Sequence, residues 1–336
     1  AALRARADEH VREYLETHLP LKWICDFVAT MDTLVVQRAL ELAQKQLLAE
    51  LPEAHRPSVK WCWLFFGQCA RKEALLRAAQ ESGILYEDPA PDQQESTRGW
   101  FLRLGARVAH ILEVCGFARG PLSADRSENV RALSQWVSRF ERCTHEFCED
   151  EQLESCLPYF DMRAVAGSTQ LPDQLHERWK NSFTSGDFFL QRLARAALEN
   201  LPPLTIFKNA IVDTDGEVDT RLDIVRNILQ PLADCARVLA YAQGFARIVP
   251  SMERLSAVAE QLPEKKDLLL EAAEAFRVAL YHRAICATRH GDDGRFLIPS
   301  ELNKIDQELF KSVFRTIDEL FKYMRARFGV PEEDGD

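Results

Sequence analysis

The sequence predicts an α+β protein, in which a small mixed-sheet domain at residues 1–180 is followed by an all-α helical bundle at residues 181–336. Three short apolar segments that are typical of strands all lie in the first half of the chain. The second half shows only the three- and four-residue spacing of amphipathic helices. A length of 336 residues is enough for two domains that each bury a core.

The first half alternates strands with helices. The segment from Trp61 to Phe66 has six consecutive apolar residues and is followed by Gly67, a length and an ending that favour a buried strand. Similar patterns predict strands at 61–66, 83–86 and 159–165, and helices at 3–19, 26–50, 70–78, 100–115 and 126–143.

The second half is predicted to be helical throughout. Its clearest pattern is an apolar stripe near the C-terminus, in which Leu302, Ile305, Leu309, Val313, Ile317, Leu320 and Met324 lie three or four residues apart. We expect helices at 171–183, 186–200, 219–243, 251–261, 265–288 and 300–328. Packing such stripes against one another gives a helical bundle.

Composition narrows the choice of partners. The chain has 42 Lys and Arg against 52 Asp and Glu, which gives a formal net charge of −10. Nucleic acids and anionic membranes require an extended positive surface, so neither is expected as a main partner. No apolar run approaches the roughly 20 residues of a membrane span.

The cysteines and the N-terminus indicate the compartment. Nine cysteines are scattered along the chain without a framework of close pairs, and we expect them to be reduced. The first residues carry charges and no apolar signal core, so export is not expected. The sequence therefore predicts a cytoplasmic protein.

The most informative segment is residues 61–86, where a predicted strand runs into a glycine turn and a predicted helix. Free N–H groups at the start of a helix, together with the helix dipole, form a place to hold a phosphate. A plain strand-to-helix connection has the same pattern. The turn alone therefore leaves both interpretations open.

This segment resembles the signature of a bacterial nucleotidyltransferase family related to the protein-PII uridylyltransferases. The family pattern is Gly-Ser-x-Ala/Gly-Arg-x-Glu-Gln-x-Leu-x-Thr-Asp-Gln-Asp-Asn-Ala-Leu-Ile, and the residues in register are Gly67, Ala70, Arg71, Glu73, Leu76 and Gln80. Residues 160–167 are similar to the family's Phe-Asp-Leu-Arg-x-Val-x-Gly strand. Residues 219–328 resemble the helical substrate-binding domain that follows.

The resemblance implies transfer of a nucleoside monophosphate from a nucleoside triphosphate to a protein or small-molecule acceptor. In such a family, the Gly-Ser turn holds the triphosphate, and an Asp-x-Asp pair with a third acid holds Mg²⁺. Carboxylates at positions i and i+2 of a strand project to the same face and can share metal ions. The family also implies upstream cyclic-nucleotide-binding or CBS modules, and no organic cofactor is expected.

This chain departs from the pattern at the positions that carry the chemistry. Gln68 replaces the turn serine, and Ala79 and Glu81 replace the two aspartates of the metal-binding pair. The third acid is retained as Asp161. Glu81 and Asp161 are therefore the expected catalytic acids and the only ligands left for a weak Mg²⁺ site. The residues expected to bind the nucleotide are Gly67, Gln68, Arg71 and Glu73.

Three functions are compatible with these departures. The first, which we favour, is a degenerate nucleotidyltransferase-like regulatory or signal-transduction protein that binds a nucleotide without efficient transfer. The second is an active metal-dependent nucleotidyltransferase that uses Glu81 and Asp161. The third is a protein-interaction scaffold with an empty pocket. Arg71 and Glu73 fit either a phosphate-binding role or an internal salt bridge, and Asp161 with Arg163 fits a structural ion pair.

Other patterns predict sites only weakly. Cys143, His145, Cys148 and Cys156 are four zinc-capable side chains, although their spacing matches no standard zinc knuckle. Cys69 lies at the glycine turn, where a helix N-terminus would lower the pKa of a thiol. Residues 213–219 resemble the start of a calcium loop, but position twelve is Ile224 rather than Glu.

Overall fold

The structure, a computed structural model, describes residues 2–17, 19–51, 56–75, 79–144, 149–179, 187–199 and 221–331. The chain divides into two compact units, Ala1–Ser182 and Phe183–Asp336. The first unit contains a four-stranded sheet with helices, and the described residues of the second unit are almost wholly helical. The predicted α+β class is therefore confirmed.

A mixed sheet forms the centre of the first unit. Its strands are β1 (Trp61–Phe66), β2 (Ser82–Tyr86), β3 (Val130–Ala132) and β4 (Met162–Gly167), in the spatial order β3-β2-β1-β4. Strand β1 is antiparallel to both of its neighbours, whereas β2 and β3 are parallel. Because β1 is central, its residues 62–66 are almost fully buried, which explains the apolar run.

Seven helical segments accompany this sheet in the described part of the first unit: α1 (Ala2–Glu16), α2 (Leu21–Glu50), α3 (Gly67–Ala70), α4 (Gln94–Val114), α5 (Leu133–Thr144), α6 (Asp150–Cys156) and α7 (Gln170–Trp179). Helix α2 packs on α4 and β4, and α5 packs on α7 and β2. The rings of Phe66, Trp136, Phe140 and Tyr159 form one aromatic cluster. This cluster fixes α5 against the end of β1.

The second unit contains the helices α8 (Asp187–Glu199), α9 (Gln230–Ala242), α10 (Ser251–Gln261), α11 (Lys266–His290) and α12 (Lys304–Phe328). A single π-helical turn, Val225–Leu229, leads into α9. Two short strands, β5 (Leu222–Asp223) and β6 (Phe296–Leu297), pair antiparallel. Across the described residues of both units, no helix is long and apolar enough to cross a membrane.

Three predictions in the first unit are wrong in detail. The helix expected at 70–78 is only the single turn α3, and residues 71–75 form a loop, because Lys72 has φ +61° and cannot continue a right-handed helix. The helix expected at 126–143 begins at Leu133, since residues 130–132 pair with β2 as a strand. The strand expected at 159–165 begins at Met162, after a 3₁₀ turn at Leu157–Phe160.

The C-terminal helix also begins later than expected, at Lys304 rather than at residue 300. Asn303 caps it, because its side-chain oxygen accepts a hydrogen bond of 2.9 Å from the backbone N–H of Asp306. Ile305, which the apolar stripe places in the core, is 79% exposed. Of the stripe residues, those from Val313 onward are buried.

Candidate functional site

The candidate site lies where β1 ends and where β2 and β4 begin. Gly67 follows β1, and its backbone N–H donates a hydrogen bond of 3.0 Å to the carbonyl oxygen of Asp161, the residue before β4. The N–H of Phe66 donates to the carbonyl oxygen of Glu81, the residue before β2, also at 3.0 Å. Antiparallel pairing on both sides of β1 thus brings together the three positions that the motif separates along the chain.

Gly67 and Glu81 are in close proximity. Gly67 has φ +50°, a left-handed conformation that favours glycine, and a Cβ placed on it would lie 2.6 Å from Oε2 of Glu81. Burial raises the pKa of the Glu81 carboxyl above its ordinary value, and the positive charge of Arg71 partly offsets this effect. The Glu81 carboxyl therefore lies against the turn in a partly desolvated position.

Arg71 lies at the centre of a buried ion cluster. Its Nε donates to Oε2 of Glu73 and its Nη1 donates to Oδ2 of Asp161, each at 2.6 Å. Arg71, Glu73 and Asp161 are 6%, 4% and 0% exposed, respectively. Charge-assisted bonds of this kind are strong, and each partner depends on the others to remain charged away from water.

The backbone of the turn is closed by its own hydrogen bonds. The N–H of Arg71 donates to the carbonyl oxygen of Gly67 at 3.0 Å, and the N–H of Glu73 donates to that of Gln68 at 2.9 Å. Lys72, in its left-handed conformation, reaches Asp26 of α2 with an Nζ–Oδ1 distance of 3.0 Å. These bonds fold residues 67–73 into a compact loop instead of the longer helix that the phosphate-binding hypothesis assumed.

Arg163 of β4 supports the turn from another side. Its Nε donates to the carbonyl oxygen of Ala70 and its Nη2 to that of Cys69, both at 3.3 Å. Asp161, two residues earlier, is bonded to Arg71. The expected pairing of Asp161 with Arg163 is thus replaced by an Asp161–Arg71 pair, while Arg163 satisfies two carbonyl groups at the end of α3.

The segment 118–120 lies beside the degenerate acid pair. Gln80 forms a parallel bridge with Arg119, and a Cβ on Gly120 would lie 3.3 Å from both Cβ of Ala79 and Cγ of Glu81. The Gln80 side chain is 5% exposed, and neither its amide nitrogen nor its oxygen has a partner among the described residues. Sequence reasoning did not assign Gly120 to the site.

The environment of Cys69 excludes the activated thiol that the sequence suggested. The side chain is 5% exposed, and its Sγ donates to the carbonyl oxygen of Ala79 at 3.5 Å. Burial raises the pKa of this thiol to about 12. The effect is opposite to the lowering expected at a helix N-terminus, because α3 is only one turn long and the thiol is desolvated.

The acidic residues do not assemble a metal centre in the described part of the chain. Within these residues, no group of three or more His, Cys, Asp or Glu side chains is arranged to hold a metal ion. Ala79 contributes a methyl group where the family pattern has a carboxylate, and the Asp161 carboxylate is bound by Arg71. The residues present thus do not fit the two-metal site that the pattern implies.

The other sequence-predicted sites have different outcomes. Cys143 at the end of α5 and Cys156 at the end of α6 are joined by a disulfide, so the expectation that all cysteines are reduced is wrong for this pair. A disulfide also removes two of the four thiol and imidazole ligands proposed for zinc. His145, Cys148 and the calcium-like segment 213–219 lie outside the described residues.

The sheet, the glycine turn and the two flanking acid positions define a nucleotidyltransferase-like domain followed by a helical region. Residues 5–150 match the family described as Putative nucleotidyltransferase DUF294, and residues 187–328 match the Putative nucleotidyltransferase substrate binding domain. Together the two matches span most of the chain, and the chain belongs to this nucleotidyltransferase family. No curated protein matches it.

Proposed function

We propose that this protein is a degenerate nucleotidyltransferase that regulates rather than catalyses, binding a nucleotide without efficient transfer. The observation that carries the proposal is the buried bond between Arg71 and Asp161, together with the methyl group of Ala79. These two features remove two of the three carboxylates that the family chemistry requires. Of the two predicted metal ligands, Glu81 and Asp161, the Glu81 carboxylate is the one without a hydrogen bond to Arg71 among the described residues.

The electrostatics of the ion cluster support this proposal. If Asp161 ligated Mg²⁺ through Oδ2, that oxygen would have to leave the Arg71 guanidinium, which is 6% exposed. A divalent cation would then lie close to a buried positive charge, and both effects are unfavourable. A loss of about 4 kcal/mol of transition-state stabilisation slows transfer by roughly 10³-fold.

Nucleotide binding rests on the parts of the motif that persist. The Gly67 turn is retained at the end of β1, with Gln68 beside it, and the family's substrate-binding region is matched over residues 187–328. We propose that a nucleoside triphosphate is the ligand of this turn. Signal input would come from cyclic-nucleotide-binding or CBS modules, as the resemblance implies.

The direct test incubates the protein with radiolabelled ATP, UTP and GTP in Mg²⁺ or Mn²⁺, and measures both label transfer and calorimetric binding. We expect heat of binding without transfer. Transfer by the native chain that is lost in both Glu81→Ala and Asp161→Ala would instead establish the active enzyme. If none of the three nucleotides gives heat of binding, only the third function, a protein-interaction scaffold, would remain.

A matched gain-of-function variant is Ala79→Asp, which restores the carboxylate of the family pattern. We expect this variant to transfer more label than the native chain. Ala79→Asn, of almost the same size and without the charge, is the control and should behave like the native chain. If Ala79→Asp and Ala79→Asn transfer the same amount of label, the missing carboxylate at position 79 is not what limits transfer.

A further inference from the structure

A cluster of three arginines lies on the first unit, outside the candidate site. This arginine cluster consists of Arg131 on β3 with Arg139 and Arg142 on α5. The Nε of Arg131 donates to the carbonyl oxygen of Glu128 at 2.7 Å, and Nη1 of Arg139 donates to the same oxygen at 3.3 Å. Two guanidinium groups therefore converge on one neutral acceptor.

The cluster is poor in negative charge. Among the described residues, no carboxylate oxygen lies within 4 Å of a side-chain nitrogen of Arg131, Arg139 or Arg142. The carboxylate of Glu128 pairs with Arg126 at 4.0 Å instead. The chain has ten more acidic than basic residues, yet within its described part these three neighbouring arginines have no carboxylate within 4 Å, and a bound anion would reduce their mutual repulsion.

The positive charges of Arg139 and Arg142 repel that of Arg131. Burial lowers the pKa of its guanidinium, and the charges of Arg139 and Arg142 lower it further. Arg139 is held in place by an aromatic surface, since its Cζ lies 4.0 Å from the centre of the Tyr159 ring. The guanidinium groups of Arg131 and Arg139 are thus positioned before any ligand arrives.

We propose that the arginine cluster is a binding site for a phosphate-bearing small-molecule anion. Guanidinium groups bind phosphate oxygens through paired N–H bonds, and three of them match an anion with several negative charges better than a single carboxylate. Both a free polyphosphate and the triphosphate of a nucleotide supply this chemistry. The proposal does not depend on the proposed function, because the cluster shares no residue with the Gly67 turn.

The experiment is isothermal titration of the full chain with inorganic tripolyphosphate. We expect binding that weakens at high salt and that falls about tenfold or more in Arg142→Ala and in Arg139→Lys, which keeps the charge but loses the planar fork. Arg103→Ala is the control, because Arg103 is exposed on α4 and is not one of the cluster residues. Equal affinities for Arg142→Ala and Arg103→Ala would overturn the proposal.

Parallel titrations with ATP and adenosine identify the source of the anion. Loss of ATP affinity in the same variants, with no adenosine binding, shows that the triphosphate of a nucleotide occupies the cluster. ATP affinity that is unchanged in these variants, while tripolyphosphate affinity falls, shows that the site takes free polyphosphate. If the chain binds no nucleotide but still binds tripolyphosphate through the cluster, the proposed function fails and this inference stands.

Discussion

The motif and the structure indicate different roles for Arg71. In the family pattern it lies three residues from a phosphate-binding turn, which suggests a contact to phosphate. In the structure its guanidinium is enclosed by the carboxylates of Glu73 and Asp161. A side chain that already neutralises two buried acids has little capacity left to bind a nucleotide directly.

We predict that Arg71→Ala destabilises the protein by about 3–5 kcal/mol, because it leaves Asp161 and Glu73 buried without their cation. Urea unfolding measures the change in the free energy of unfolding. The control is Arg38→Ala, which breaks an exposed pair with Glu41 and should cost about 1 kcal/mol or less. If both variants lose the same stability, the buried cluster is not a structural element.

Glu81 provides a test by pH. Burial raises the pKa of Glu81 in the folded state. There is therefore a pH range in which the Glu81 carboxyl is protonated in the folded chain but ionised in the unfolded chain. This group therefore reduces stability as the pH rises from the ordinary Glu value of 4.5 through the raised value. We predict that Glu81→Gln becomes increasingly more stable than the native chain toward neutral pH.

The measurement for Glu81 is the free energy of unfolding at several pH values between about 4 and 8. In the upper part of this pH range, an unperturbed carboxyl is already ionised. Glu141→Gln, on the exposed face of α5, is the matched control. A stability difference between Glu81→Gln and the native chain that does not change with pH would contradict the prediction.

At the scale of elements, the connection from β1 to β2 is held by the fit between Gly67 and Glu81. We predict that Gly67→Ala costs at least about 1 kcal/mol, because alanine disfavours φ +50° and its Cβ displaces the Glu81 carboxylate. The loss of unfolding free energy should be smaller in a Glu81→Ala background, where only the unfavourable backbone conformation of alanine contributes. A double-mutant cycle by urea unfolding measures this difference, and additive costs would show that the contact carries no energy.

The same region shows what sequence patterns can and cannot predict. Strand β1 is confirmed because six apolar residues before a glycine form a local signal. Strand β3 was missed because its three residues continue an apolar helical pattern and become a strand only by pairing with β2. The expected helix after Gly67 fails at Lys72, whose left-handed conformation is set by the closed loop and by Asp26 of α2.

The internal salt bridge of Arg71 and Glu73 is one of the two alternatives that the sequence left open, but the third member of the ion cluster, Asp161, was not predicted. Arg71 and Asp161 are 90 positions apart, and nothing local indicates that they meet. The motif placed Gly67, Glu81 and Asp161 in one hypothesis because the family pattern names them. Only the order of the strands, with β1 between β2 and β4, explains physically why they are neighbours.

For the whole molecule, net charge and local charge have different consequences. The formal charge of −10 describes the average surface and disfavours polyanions as main partners. It does not show that a carboxylate is absent at Ala79, nor that Arg131, Arg139 and Arg142 lie together. The proposed regulatory role and the proposed anion site depend on these local departures from the average.

We propose that the two compact units, Ala1–Ser182 and Phe183–Asp336, are domains that unfold separately. Each has its own buried core, so differential scanning calorimetry should resolve two transitions. Leu320→Ala removes a fully buried side chain of α12 at a cost of about 2–5 kcal/mol and should lower only one of them. Arg71→Ala should lower only the other.

Ile305→Ala is the control within α12, because Ile305 is 79% exposed and its truncation should move neither transition. A single transition that Leu320→Ala and Arg71→Ala both shift would mean that the two units fold as one cooperative body. Two transitions with separate responses would allow the Gly67 turn and the helical region to change independently. Passing a signal from one such unit to the other would require a coupling free energy between them.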